Sequence, residues 1–165
     1  MAAIAVALAA GLAGMAARLS TEQLSDAPEL AEQADAARLK AAPLARTDAE
    51  SYGLVLEAFR ETDPEVRTSR VRDALSGAAD VPLAVAEAGN EVVGIASRLA
   101  QEGNPNLEGD AMAAVLLAGA GVRAATALVG INLSTANVDD DRLGRANSLV
   151  DTTAAAVRRA TEGER

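Results

Sequence analysis

The chain has 165 residues, a length that one hydrophobic core can serve, and half of them are hydrophobic. Cysteine and histidine are both absent, which removes disulfides, thiolate nucleophiles, imidazole bases and the usual zinc ligands. With 24 acidic against 15 basic residues the net charge is -9, which argues against a nucleic-acid backbone binder but leaves room for a small anion or a local basic groove. One Phe, one Tyr and no Trp leave Ala, Leu and Val to make the core. Small side chains bury little area each, so oligomerisation is expected.

The opening Met1 to Ser20 is apolar. It lacks the basic start of a signal sequence, and Gly11, Gly14 and Arg18 interrupt it as a membrane span. It reads as a buried bundle helix of a cytoplasmic protein. Ser25-Asp26-Ala27-Pro28 is turn and capping material. From Glu29 to about Arg60, Leu30, Ala34, Ala37, Leu44, Ala45, Tyr52, Val55, Leu56 and Phe59 recur at helical spacing, with Pro43 expected to bend or divide the helix. Tyr52 reads as core.

Thr62-Asp63-Pro64-Glu65 stops that helix and starts a charged one ending near Leu75 or Ala79. Asp80-Val81-Pro82 opens the next, with Asp80 as its expected cap. The loop Gly103 to Gly109 ends it, and a nearly uncharged helix from Asp110 to Ile131 follows, whose composition suits a central position. Asn132 to Asn137 forms the last joint before a charged helix from about Val138 to Arg159. No strand pattern, nucleotide loop, metal motif or repeat is present. The expected fold is all-α, an antiparallel bundle of about five to six helices in a single domain spanning residues 1–165. The small-residue faces Ala3, Ala7, Gly11, Gly14 and Ala118, Gly121, Ala125 permit close helix approach, within one chain or across a subunit interface.

The segment from Gly103-Asn104-Pro105-Asn106 through Gly109-Asp110-Ala111 to Ile131-Asn132-Leu133 resembles the signature of the cyclodeaminase and methenyltetrahydrofolate cyclohydrolase family. In that family a Gly-Asn-Pro-Asn loop leads through Ser-Asp-Ala-Gly into a small-residue helix closing on Asn-Val-Arg-Ile-Asn-Leu. The similarity extends to Asp48-Ala49-Glu50-Ser51-Tyr52 with the helix that follows, to Asp80-Val81-Pro82-Leu83, and to the opening Ala2 to Ser20, so nearly the whole chain is covered.

The resemblance implies an all-helical homodimer or larger assembly acting on a tetrahydrofolate derivative, with no metal, nucleic-acid or membrane partner. The reaction is either hydrolysis of 5,10-methenyltetrahydrofolate or removal of ammonia from 5-formiminotetrahydrofolate. One carboxylate can orient or deprotonate water and a second can protonate the departing ring nitrogen, with Asp48 and Asp110 as the candidates. Asn104, Asn106 and Asn132 are the candidates to hold the pterin or the hydrated carbon. Each residue also has a purely structural reading. Asp110 suits a helix N-cap, Asn104 and Asn106 are turn formers beside Pro105, Asp48 suits a solvated helix face, and Asn132 suits a helix end.

Several positions depart from the family pattern. Members carry a Pro-Gly-Gly-Gly-Ser loop before the first small-residue helix, whereas this sequence starts inside that helix, and a chain without the loop is expected. The family's lysine-rich segment is replaced by residues 20–26 and its Leu-Pro-Lys by Arg60-Glu61-Thr62, leaving Arg60 and Lys40 as substitutes. Met112 stands where the family has glycine, and Leu128-Val129-Gly130 where it has Asn-Val-Arg. The alternatives to a working enzyme are therefore a catalytically inactive folate-binding homologue and a structural or interaction protein.

Overall fold

The computed structural model describes residues 1–162, and among them there are six α-helices, one short 3-10 turn and no strand. Helix α1 spans Ala2–Arg18, α2 Ala27–Phe59, α3 Pro64–Ala78, α4 Asp80–Glu102, α5 Glu108–Ala136 and α6 Asp141–Glu162, with the turn at Pro105–Leu107. The expected all-α bundle is therefore observed. Helices α4 and α5 form the central antiparallel pair, α1 and α2 cover one side, α6 runs along the α4–α5 seam, and α3 closes one end against α2 and α5.

Glycine and alanine set the closeness of this packing. A Cβ added at Gly89 would sit 2.6 Å from Val122 Cγ2 and 3.1 Å from Val6 Cγ2, and one at Gly121 would sit 2.7 Å from Val6 Cγ2. Val6, fully buried, thus fills the notch that two glycines open where α1, α4 and α5 meet. Ala3, Gly14, Ala118, Gly121 and Ala125 are buried within the chain, so these small faces pack intramolecularly, while Ala7 and Gly11 stay half-buried. Central burial also explains α5. It is long and apolar enough to cross a membrane by composition, yet half of its most apolar window is buried inside the bundle.

Helix α2 is not divided at Pro43: it runs for 33 residues with the proline inside. Pro43 and Leu39 both face solvent, so the carbonyl deprived of its helical N–H can be hydrated. The same length explains the fate of Tyr52. Met1 to Ala3 lie against Ala45 and Asp48, so the helix beyond residue 48 overruns the end of α1. Tyr52 is 60 % exposed there, with Leu56 and Phe59 also exposed, rather than in the core; only Val55, packed against Leu75 and Ala78 of α3, and Ala58 are buried.

Asp63 caps α3, its Oδ1 accepting from Glu65 N at 2.9 Å and Val66 N at 3.2 Å. Asp80 does not cap α4. The cap position is Ala79, which continues straight from α3, and Asp80 instead accepts from Arg142 Nη1 at 2.7 Å. Arg142 also reaches the Ser76 carbonyl at 2.7 Å and Asp140 Oδ2 at 2.5 Å, tying the start of α6 to the α3–α4 corner. Its guanidinium holds the Asp140 carboxyl below the usual range, and Asp140 in turn raises Arg142.

Candidate functional site

The Gly103 loop is locked to the end of α1. A Cβ at Gly103 would fall 2.5 Å from the Leu99 carbonyl oxygen and 3.0 Å from Ser20 Oγ, so only glycine lets the chain leave α4 along this path. The buried Ser20 hydroxyl donates to Ala16 O at 2.7 Å and accepts from Asn104 N at 2.9 Å. Asn104 Nδ2 donates to Leu19 O at 2.9 Å, and its Oδ1 accepts from Asn106 N at 3.0 Å. The Asn104 side chain therefore caps the short turn beginning at Pro105 and ties it to α1. This is its structural role, and the Asn106 side chain is left pointing into an exposed surface with no protein partner among the described residues.

Behind the loop, α5 starts at Glu108 with Leu107 as its cap residue, so Asp110 is inside the first turn and not an N-cap. Its carboxylate accepts no hydrogen bond and joins no ion pair among the described residues. The positive end of the α5 dipole favours a negative charge at that position. A cavity of 380 Å³ opens beside the loop, with Asn104, Pro105, Glu108 and Met112 on one side and Arg159 and Thr161 of α6 on the other. Met112 forms part of its apolar wall.

The other candidates lie elsewhere in the protomer. Asp48, half-buried on α2, borders a narrow cleft with Ala45, Pro82, Val85 and Leu128. Leu128 follows Asp110 by eighteen residues on α5, a rise of about 27 Å at helical pitch, so the two aspartates stand at opposite ends of one chain. Asn132 Nδ2 donates to Ala78 O at 3.0 Å and satisfies a carbonyl at the C-terminal end of α3. Lys40 pairs with Glu91 at 3.2 Å in a groove between α2 and α4, and Arg60 is the exposed residue closing α2. Within one protomer Asn104, Asn106 and Asp110 lie on one loop and the helix turn that follows it, only Asn104 of the three bordering the cavity, whereas Asp48 and Asn132 stand elsewhere.

Arg159, Glu108 and Gln101 were not singled out from the sequence, although the structure brings them to the loop cavity. No local motif marks them, because α6 returns antiparallel along α5 and only that return puts Arg159 opposite Glu108. A second staple, Arg98 to Asp26 at 2.5 Å and to Glu102 at 3.2 Å, holds α4 near the loop against the start of α2 and depresses the Asp26 carboxyl. No cluster of three or more Asp or Glu side chains suited to a metal ion occurs among the described residues.

Comparison with known proteins matches this arrangement. The fold superposes on a formiminotetrahydrofolate cyclodeaminase from Thermotoga maritima with a TM-score of 0.81 and 26% sequence identity, over 98% of this chain and 85% of that one. A methenyltetrahydrofolate cyclohydrolase from Methylorubrum extorquens is 33% identical over 142 residues, covering 79% of this chain and 68% of that protein. The family model described as formiminotransferase-cyclodeaminase matches residues 1–151. The chain belongs to the formiminotransferase-cyclodeaminase family.

Proposed function

We propose that the protein is a folate one-carbon enzyme, a cyclohydrolase or cyclodeaminase for a tetrahydrofolate derivative, active in the cytoplasm as a homodimer and without a metal. The carrying observation is the unpaired Asp110 carboxylate on the first turn of α5, directly behind a loop that Ser20, Gly103 and Asn104 hold rigid. A rigid loop places a reacting group without an ordering cost at the moment of reaction.

In the hydrolytic direction, Asp110 accepts a proton from water as its oxygen bonds to the cationic methenyl carbon between N5 and N10. The C–N5 bond then breaks, N5 takes a proton, and the carbon remains on N10 as a formyl group. In the deaminating direction N10 attacks the formimino carbon and protonated ammonia leaves. Asn106 has a free amide to offer the pterin, Asn104 fixes its position, and Asn132 contributes through the α3–α5 joint.

Dimerisation supplies the second carboxylate in this scheme. The outer faces of α1 and α5 form one apolar strip containing Ile4, Leu8, Met15, Leu117, Leu128 and Ile131, all at least 37 % exposed. Together with the Ala and Gly between them they offer on the order of 600 Å² per protomer, close to the ~800 Å² a side of a standard interface. Arg123 is the one charged residue between Ala111 and Ala136, so two copies of an acidic chain can meet there with little repulsion. A two-fold axis crossing the middle of the strip exchanges its ends, bringing Asp48 of one copy toward the Asn104–Asp110 end of its partner.

The test is turnover of 5,10-methenyltetrahydrofolate and of 5-formiminotetrahydrofolate by the folded protein and by Asp110→Asn. A loss of roughly 100-fold or more in kcat, with unchanged circular dichroism, is the expected result. No turnover of either substrate by folded wild type would overturn the enzymatic assignment. Met112 in the cavity wall favours a second reading, an inactive folate-binding homologue, because its side chain takes up volume that glycine would leave to ligand. Saturable calorimetric binding of 5-formyltetrahydrofolate without turnover would select it.

A further inference from the structure

The 380 Å³ loop cavity is bordered by neither Asp110 nor Asn106, the groups that act on the folate substrate in the reading above. Its facing walls carry opposite charges instead. Glu108, on the first turn of α5, stands on one side, and Arg159, on the last turn of α6, on the other. Each charge sits at the helix end whose dipole favours it, which keeps both ionised. They do not pair with one another, and neither joins any other ion pair among the described residues. Glu102, at the end of α4, is already taken by Arg98.

The end of α4 adds acceptors to the Glu108 side. If the helix continued, the carbonyls of Ala100, Gln101 and Glu102 would accept from the N–H groups of residues 104, 105 and 106. Asn104 N donates instead to Ser20 Oγ, Pro105 has no N–H, and Asn106 N donates to Asn104 Oδ1. The last carbonyls of α4 are therefore left without helical donors. Ala100 and Gln101 both border the cavity, so the negative end of the α4 dipole lies at the same cavity as the Glu108 carboxylate. The cavity thus has an acceptor pole with no donor and, in Arg159, a donor pole with no acceptor.

We propose that this cavity binds a free α-amino acid with an uncharged side chain, its ammonium on Glu108 and the carbonyl end of α4 and its carboxylate on Arg159. An ammonium has three donors to place, and a guanidinium takes a carboxylate through two parallel bonds. A zwitterion satisfies both poles at once, whereas a simple anion would set like charge against Glu108 and a simple cation would do the same to Arg159. Glu108 and Arg159 are the only charged residues lining the cavity, so a charged side chain would find no partner, while Pro105, Met112 and Ala160 supply apolar surface for a neutral one. The site takes no part in the folate chemistry, and the inference stands independently of it.

The probes are L-leucine and L-glutamine, titrated calorimetrically into wild type, Glu108→Gln, Arg159→Gln and, as a control making the same charge change one residue away, Arg158→Gln. Saturable binding of at least one probe is expected in wild type, weakened about tenfold or more in Glu108→Gln and in Arg159→Gln and unchanged in Arg158→Gln. N-acetyl-L-leucine, which lacks the ammonium, and 3-methylbutylamine, which lacks the carboxylate, should not compete. Both substituted side chains are exposed and unpaired, so circular dichroism of the variants should overlay that of wild type. Absence of binding by both probes to folded wild type, equal weakening in Arg158→Gln and Arg159→Gln, or competition by either truncated analogue overturns the site. Displacement of the bound amino acid by 5-formyltetrahydrofolate would make the cavity part of the folate pocket and overturns it as well.

Discussion

Two glycines on α4, five residues apart, should respond oppositely to the same substitution. Replacing a mid-helix glycine by alanine gains about 1 kcal/mol in helix propensity wherever the new methyl group fits. At Gly94 nothing lies within 4 Å of the added Cβ, so Gly94→Ala should stabilise by roughly that amount. At Gly89 the Cβ would meet Val122 Cγ2 at 2.6 Å and Val6 Cγ2 at 3.1 Å, with the Ala118 carbonyl oxygen 3.5 Å away. Both valines are fully buried, so neither can swing into solvent, and α5 or α1 must move outward. Overpacking of this kind costs about 1–3 kcal/mol, which cancels or exceeds the propensity gain. The two variants should therefore differ by about 2 kcal/mol, or roughly 4–8 °C in Tm for a chain of this size. Urea denaturation followed by circular dichroism, with calorimetry for Tm, measures the difference directly. Gly89→Ala equal to or more stable than Gly94→Ala would show that α1, α4 and α5 do not meet at Val6 as described.

Asn104→Ala should cost about 1–2 kcal/mol, because it removes both the turn cap and the bond to Leu19 O; hydrogen exchange faster at Asn106 N than at the α4 core would localise the loss, and unchanged exchange there would contradict the loop's geometry. Asp26, Glu61 and Asp140 have their carboxyls lowered, first by hydrogen bonds from Arg98, Arg70 and Arg142 respectively. The unfolded chain then binds more protons than the folded one in the acid range. Their stabilisation is complete above the ordinary carboxylate range and is lost as pH falls through the lowered folded values. The urea midpoint should fall on acidification, and less steeply in Arg142→Gln; superimposable slopes would refute the Arg142–Asp140 contribution.

Most of the fold was legible because its signals are local. Apolar period, capping residues and prolines mark six helices, and Asp63-Pro64 places the start of α3 correctly. The exceptions have tertiary causes. Pro43 leaves α2 whole because the Leu39 carbonyl it deprives of a helical N–H faces water, and Asp80, the first residue of α4, pairs with Arg142, sixty-two residues later, instead of capping the helix. Tyr52 carries a core-like spacing, but nothing packs over it once α2 has outrun α1.

The same division runs through the site. The loop motif from Gly103 to Asp110 is contiguous, so its turn and its helix start can be read from the residues themselves. Whether an amide is free to bind is a different matter. Asn104 and Asn106 look alike in sequence, yet the C-terminal end of α1 consumes the Asn104 side chain and leaves that of Asn106 available. Asp48 and Asp110 likewise share a residue type, and the length of α5 puts them at opposite ends of the protomer. Glu108 and Arg159 border one cavity only because α6 folds back antiparallel on α5. Sequence determined the helices and the family through short-range periodicity and contiguous motifs. Which polar groups remain unpaired, and which face one another, depends on long-range packing and was decided by the tertiary structure alone.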